Sequence, residues 1–224
     1  SIIQLLPLNE VGALFCPYDA VSSFALEPAY LSLNLLTGLK YKRDIAKKIE
    51  ALRKMFPLKG ASYVDYRIKE EKISLLREIF LAEDIRNLGE LGEFKEANKY
   101  WIVDFALFKV LKGLQGDRPW YEWEDESKFR DASFLTALRR EHDKEFMFQV
   151  WLQWQLYKQL KGVKKYAKDK KVLIKGDLPI LVSRDSADVW SHPEFFKLDF
   201  ASGAPVDMYC AKGQRWGMPP YNWD

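Results

Sequence analysis

Apolar positions recur along this chain in three rhythms, and each rhythm predicts a different kind of element. Residues 2–8 form a short apolar run closed by Pro7 and the turn-like Asn9-Glu10-Val11-Gly12, which suits a buried strand emptying into a loop. That loop runs through Cys16-Pro17-Tyr18-Asp19-Ala20 to Glu27-Pro28, too irregular for helix or strand and too apolar for a floppy linker. From about residue 39 to 170 the period turns helical. Ile45, Ile49, Leu52 and Phe56 stand at i, i+4, i+7 and i+11 with Lys and Arg on the other face, until Pro57 ends the segment. Further helices are predicted over 64–82, 99–114, 131–138 and 144–168. The last is apolar on most sides, so it is expected to lie buried between layers. Residues 172–182 then form a run apolar enough for a strand covered on both faces, although Pro179 removes a ladder donor.

With 224 residues, 48% hydrophobic and 15% aromatic, the chain can bury a sizeable core. Its 35 basic and 32 acidic residues nearly cancel, and they are interleaved along the sequence instead of forming a stripe. Nothing in that pattern suits a nucleic acid partner. Two cysteines, Cys16 and Cys210, lie far apart with no cluster at metal-ligand spacing, which fits a reducing compartment; no metal and no cofactor are expected. No apolar run approaches the roughly 20 residues of a membrane span, so the expectation is a cytoplasmic protein without a membrane partner. The chain opens Ser1-Ile2-Ile3 inside an apolar run and closes at Asp224, and both ends read as cut.

The chemistry concentrates towards the C-terminal end. Asp177, Asp185 and Asp188 flank the end of the 172–182 run, where a parallel barrel places its active-site loops. Carboxylates there can accept hydrogen bonds from sugar hydroxyls; equally, Asp185 or Ser186 can cap a short helix starting at Ala187. For Asp188 a helix-start role is favoured. His142 and His192 have no nucleophile within sequence reach and receive no catalytic role. Residues 202–221 form a Gly- and Pro-rich loop whose Tyr209, Gln214, Arg215 and Trp216 offer ring faces with amide and guanidinium donors, the composition of a lid or binding loop. Flat rings suit pyranose faces, but most of the eight Trp, 11 Tyr and 14 Phe are expected simply to fill the core.

Several strings together are specific: Gly176-Asp177-Leu178-Pro179-Ile180, Asp185-Ser186-Ala187-Asp188-Val189-Trp190 with His192-Pro193-Glu194, Gly213-Gln214-Arg215-Trp216-Gly217, and Tyr221-Asn222-Trp223-Asp224. With Pro17-Tyr18, Ser22-Ser23-Phe24-Ala25, Val64-Asp65-Tyr66 and Pro119-Trp120-Tyr121-Glu122-Trp123 in order, the whole chain resembles the 4-alpha-glucanotransferases, also called amylomaltases or disproportionating enzymes. The resemblance implies an α/β fold, a partial (β/α)8 TIM barrel holding only the early strands and interrupted by a mostly helical subdomain. It divides the chain into residues 1–38 (early strand and active-site loop), 39–140 (helical insertion) and 141–224 (barrel helix, strand and glucan-binding loop). It implies transfer of alpha-1,4-glucan segments between maltooligosaccharides by a retaining double displacement, with two carboxylates about 5–5.5 Å apart. Tyr18 would stack near the cleaved sugar, Asp185 would hold its hydroxyls, Gln214 and Trp216 would line the cleft, and Asp177 would brace the strand end.

The chain departs from the family pattern at Cys16, Asp19, Glu27, Val206 and Met218. A larger departure is that the family's nucleophilic aspartate sits in an Arg-Ile-Asp-His string, which does not occur here. No catalytic residue is therefore assigned within these 224 residues. The partners expected are maltooligosaccharides or alpha-glucan, with the missing C-terminal half of the barrel in the intact protein. The isolated chain is expected to be inactive and, with unpaired strand edges, prone to aggregate. Two alternatives stay open: a non-catalytic glucan-binding or interaction module, and an alpha-glucan hydrolase.

Overall fold

A computed structural model of the chain describes residues 1–36, 43–57, 63–83 and 89–223. Its helices are α1 (Arg43–Met55), α2 (Arg67–Ala82), α3 (Gly89–Ala97), α4 (Lys99–Leu114), α5 (Asp125–Lys128), α6 (Ala132–Glu141), α7 (Asp143–Asp169) and α8 (Ala187–Ser191). Its strands are β1 (Ile2–Gln4), β2 (Leu173–Lys175), β3 (Gly203–Ala204) and β4 (Gln214–Arg215). The fold is α/β, with helices dominating.

The core forms where α4 lies along α7. Ile102, Phe105, Phe108 and Leu111 of α4 and Phe146, Val150 and Trp151 of α7 are all buried, as the apolar periodicity over 99–114 and 144–168 predicts. Each such side chain contributes about 1.5–3 kcal/mol relative to its exposed state. Helix α7 is 27 residues long, about 40 Å at 1.5 Å per residue, long enough to touch α2, α3, α6 and β2 as well.

Two glutamines show what the polar residues of α7 do. Gln153 accepts from the Leu26 amide at 2.8 Å and donates to the Leu26 carbonyl at 3.0 Å; Gln159 does the same with Ser32 at 2.8 and 2.9 Å. The two glutamines and their two targets are equally spaced along the chain, so the helix grips the main chain on either side of the 3-10 turn Pro28–Tyr30. Three charges within the apolar α4 each pair with a different distant segment. Asp104 takes Arg130 at 2.6 Å, Lys109 reaches Glu10 at 2.7 Å, and Lys112 reaches Asp185 at 2.7 Å.

Residues 8–27 are a stitched loop, in line with the sequence reading. Antiparallel bridges join Asn9 to Leu26 and Val11 to Ala20. Glu27 caps the 3-10 turn Pro28–Tyr30 through the Ala29 amide, while its other oxygen accepts from the Val11 amide and Lys69.

Beyond the short α5 and the β3–β4 hairpin, which the sequence reading does not predict, two larger elements differ from expectation. The strand predicted over 172–182 is only Leu173–Lys175, paired in parallel with β1 as Ile2↔Leu173, Ile3↔Ile174 and Gln4↔Lys175. Its faces are not covered: Leu173, Leu178 and Ile180 are 66%, 76% and 79% exposed. The ladder ends at Lys175, whose carbonyl accepts from the Leu5 amide at 2.9 Å, and among the described residues only β1 lies beside β2. Helix α3 lies outside the predicted helices, since Gly89 and Gly92 dilute its pattern. Packing supplies what propensity lacks: Leu91 is buried, α3 lies against α7, and Lys158 of α7 pairs with Glu90 at 2.9 Å.

Candidate functional site

The segment that follows β2 and the 8–27 loop meet through main-chain contacts. Ala20 forms a parallel bridge with Val182, the Ser183 amide donates to the Ala20 carbonyl at 2.9 Å, and the Ala187 amide donates to the Val21 carbonyl at 2.9 Å. This register sets Tyr18 beside Asp177. The Tyr18 hydroxyl donates to Asp177 Oδ2 at 2.9 Å, while Asp177 Oδ1 accepts from the Leu178 amide. Asp177 thus turns the chain at the strand end and orients the phenol, leaving Tyr18 42% exposed. The hydrogen bond to the Asp177 carboxylate, with smaller effects from burial and the negative charge, raises the Tyr18 hydroxyl above the ordinary tyrosine range.

Asp19 joins this cluster. Burial pushes its carboxyl above the usual range, a hydrogen bond from Ser183 opposes that, and the charge of Asp185 adds to the rise. Asp185 is held from the opposite side. Its Oδ2 accepts from Lys112 Nζ at 2.7 Å and its Oδ1 from the Trp120 amide at 3.1 Å. Lys112 is saturated, since it also donates to the Asp117 and Arg118 carbonyls. The Trp120 indole N–H meets the Arg184 carbonyl at 2.7 Å, so the residue before Asp185 is fixed too. Asp185 therefore stands preorganised with a side chain 27% exposed.

Of the two helix-cap candidates, Ser186 takes the role: its Oγ accepts from the Val189 amide at 3.2 Å. Asp188 lies in the first turn of α8, but both of its oxygens accept from the Ser23 amide, at 3.1 and 3.2 Å. It ties α8 to the loop that carries Tyr18. Burial raises its carboxyl above the ordinary range, against the lowering effect of its Ser23 and Ser22 hydrogen bonds.

Gln214 and Trp216 form a second unit on the β3–β4 hairpin, which pairs Gly203 with Arg215 and Ala204 with Gln214. The Trp216 indole N–H donates to Gln214 Oε1 at 3.0 Å, and the Trp216 amide donates to the Ser202 carbonyl at 2.9 Å. The loop between the strands is tightened by Asp207, which accepts from the Tyr209 and Cys210 amides. Glycine is required at two points here. A Cβ on Gly203 would lie 1.9 Å from the Gln214 carbonyl oxygen; Gly213 has φ +70°, and a Cβ there would lie 2.7 Å from the Ala204 oxygen. Trp216 is 47% exposed.

The family model for 4-alpha-glucanotransferase matches residues 1–224. The chain belongs to the 4-alpha-glucanotransferase family. It is 36% identical over 225 residues to the 4-alpha-glucanotransferase of Chlamydia pneumoniae, covering 99% of this chain and 42% of that protein. It is also 36% identical over 233 residues to that of Aquifex aeolicus (strain VF5), covering 100% of this chain and 46% of that protein. Among solved structures, the amylomaltase from Streptococcus agalactiae in complex with acarbose superposes with a TM-score of 0.81 at 31% identity, over 99% of this chain and 46% of that one. The chain therefore spans less than half the length of these relatives.

The structure brings Tyr18 and Asp177 into contact and sets Asp19 near Asp185, while Gln214 and Trp216 pair with each other. Sequence reasoning missed Asp19, Lys112 and Trp120 as parts of this arrangement. A signal for Lys112 existed: a lysine in an apolar helix, one turn after Lys109, calls for a buried acidic partner. None of the described helices is long and apolar enough to cross a membrane.

Proposed function

We propose that this chain supplies one wall of the glucan cleft of a 4-alpha-glucanotransferase, whose chemistry is completed by residues outside these 224. The observation that carries the reading is the preorganised pair of Tyr18 on Asp177 and Asp185 on Lys112 and Trp120, at the C-terminal side of a parallel strand. In this reading β1 and β2 are neighbouring strands of a (β/α)8 barrel, where the loops after the strands build the site. The helices from α1 to α6 form the inserted subdomain, and the exposed apolar face of β2 is covered by the rest of the barrel.

Each role follows from its geometry. The exposed Tyr18 ring offers a flat face to a pyranose, and Asp177 fixes its tilt. Asp185, held from behind by Lys112, accepts from sugar hydroxyls. Gln214 and Trp216 close over the chain from the hairpin, with Gly203 and Gly213 permitting the tight approach of its strands. The transfer itself is a retaining double displacement: a carboxylate attacks the anomeric carbon, the leaving sugar departs protonated, and an acceptor hydroxyl takes the glucosyl group from the enzyme. The nucleophile and the acid/base belong to the remainder of the protein, since the family's Arg-Ile-Asp-His string is absent here.

The test uses purified residues 1–224 with maltotriose and maltoheptaose. No transfer of glucose units is expected from maltotriose, and calorimetric titration with maltoheptaose is expected to give binding that Trp216→Ala weakens. Clear turnover by the chain alone, or binding indifferent to Trp216 and Asp185, would overturn the reading.

A further inference from the structure

Beside Ser22, the loop, α4 and α8 line a cavity of about 200 Å³. It shares no lining residue with the Tyr18, Asp177, Asp185, Gln214 and Trp216 set. One wall is aromatic: Phe24 meets Tyr100 edge-on at 5.4 Å and lies nearly parallel to Trp101 at 5.8 Å. Phe24 and Tyr100 are 39% and 64% exposed, so their rings remain open to a ligand, while Trp101 is buried behind them. The other wall carries Asp104, Asp188 and His192.

The polar wall is built and held. Arg130 fixes Asp104 through one oxygen at 2.6 Å, and the Ser23 amide fixes Asp188. The partners of Asp188 are amide and hydroxyl groups, none of them a cation. Each carboxylate retains acceptor capacity, since an ionised carboxylate offers about four lone-pair sites. A ligand that fits must therefore bring several donors along one edge and a flat apolar face along the other. A pyranose ring has both. The volume lies below the ~300–1,000 Å³ of sites for larger ligands, which favours one ring over the middle of a chain.

We propose that this cavity is a second sugar site that seats a single hexose ring, either free glucose or the terminal ring of a maltooligosaccharide. The ring's apolar face rests on Tyr100, which stands at 87° to Phe24, and its hydroxyls donate to Asp104 and Asp188. The choice of a sugar rests on the glucan reading above; the cavity and its donor demand do not. Seated here, the ring would lie against the corner where Asp188 holds the Ser23 amide of the loop that carries Tyr18.

The experiment is calorimetric titration of glucose, maltoheptaose and sorbitol into the monomer fraction that size-exclusion chromatography returns for residues 1–224, Trp216→Ala, Tyr100→Ala and Tyr100→Phe. Tyr100 is exposed enough for its replacements to fold, which circular dichroism checks. Glucose should bind equally to the wild-type chain and Trp216→Ala. Tyr100→Ala should weaken it about two- to tenfold, the range for one aromatic contact, and Tyr100→Phe should restore it. Sorbitol, with the hydroxyls but no ring face, should not bind. Binding of maltoheptaose to Trp216→Ala that Tyr100→Ala weakens assigns the terminal ring; binding of glucose alone assigns the free sugar. Absence of saturable binding by either sugar in Trp216→Ala, or binding that ignores Tyr100, overturns the proposal. If instead maltoheptaose shows no Trp216-dependent binding while glucose still depends on Tyr100, the cleft reading fails and this one stands.

Discussion

Lys109→Met should destabilise the chain by about 3–5 kcal/mol, the cost of leaving a buried charge without its partner. Glu10 is 2% exposed, and its Oε1 accepts from Lys109 Nζ at 2.7 Å. Burial alone would pull the Lys109 ammonium down, but the charge of Glu10 and its hydrogen bond hold it above its ordinary value. Methionine fills nearly the same volume and leaves little cavity, so the loss reads the stranded carboxylate. The consequence is local as well as global. The Glu10 amide donates to the Ala25 carbonyl at 2.8 Å and the Glu10 carbonyl accepts from the Val21 amide at 2.9 Å, and this is the loop that carries Tyr18. At about 2–4 °C per kcal/mol for a chain of this size, the melting temperature should fall by roughly 6–20 °C. Urea denaturation of the wild type, Lys109→Met and Glu10→Gln/Lys109→Met at neutral pH checks it, and the double variant should recover at least half of the loss because the stranded charge is gone. A loss within about 1 kcal/mol for the single variant, or no recovery in the double, would refute the reasoning.

Other consequences follow from the same geometry. Gly203→Ala places a Cβ against the Gln214 carbonyl, should cost about 1–3 kcal/mol as an overpacked site, and should weaken maltoheptaose binding measured by calorimetry. Asp177→Asn removes the acceptor charge that raises Tyr18, so ultraviolet difference titration against Tyr18→Phe should find Tyr18 ionising nearer the ordinary tyrosine value. Burial pulls Lys72 down to about 8, so between about 8 and the unfolded value near 10.4 the native state holds fewer protons than the unfolded one. Stability therefore rises with pH across that window, and Lys72→Met should flatten the rise in urea titrations at stepped pH.

Local patterns were legible where one face decided the element. Helix α4 runs over Lys99–Leu114 as its apolar period predicts, and Asp131 caps α6 through the Phe134 amide. What sequence could not supply was pairing across distance. Asp185 could equally be a cap or a sugar ligand on its own string; only Lys112 and Trp120, 73 and 65 residues away, turn its carboxylate outward from the helix start and leave capping to Ser186. Asp19 read as a mere departure from a motif, because its neighbours Ser183 and Asp185 come from another part of the chain. The covered strand over 172–182 failed for a related reason: coverage is a property of neighbours, and β2 has only β1 beside it among the described residues.

Chemical-shift mapping of residues 1–224 with maltoheptaose tests the central claim most directly. A single glucan wall predicts perturbations at Tyr18, Asp185, Gln214 and Trp216 that saturate together with one affinity. Shifts that leave Tyr18 and Asp185 unmoved while Trp216 saturates, or that miss all four, would contradict it.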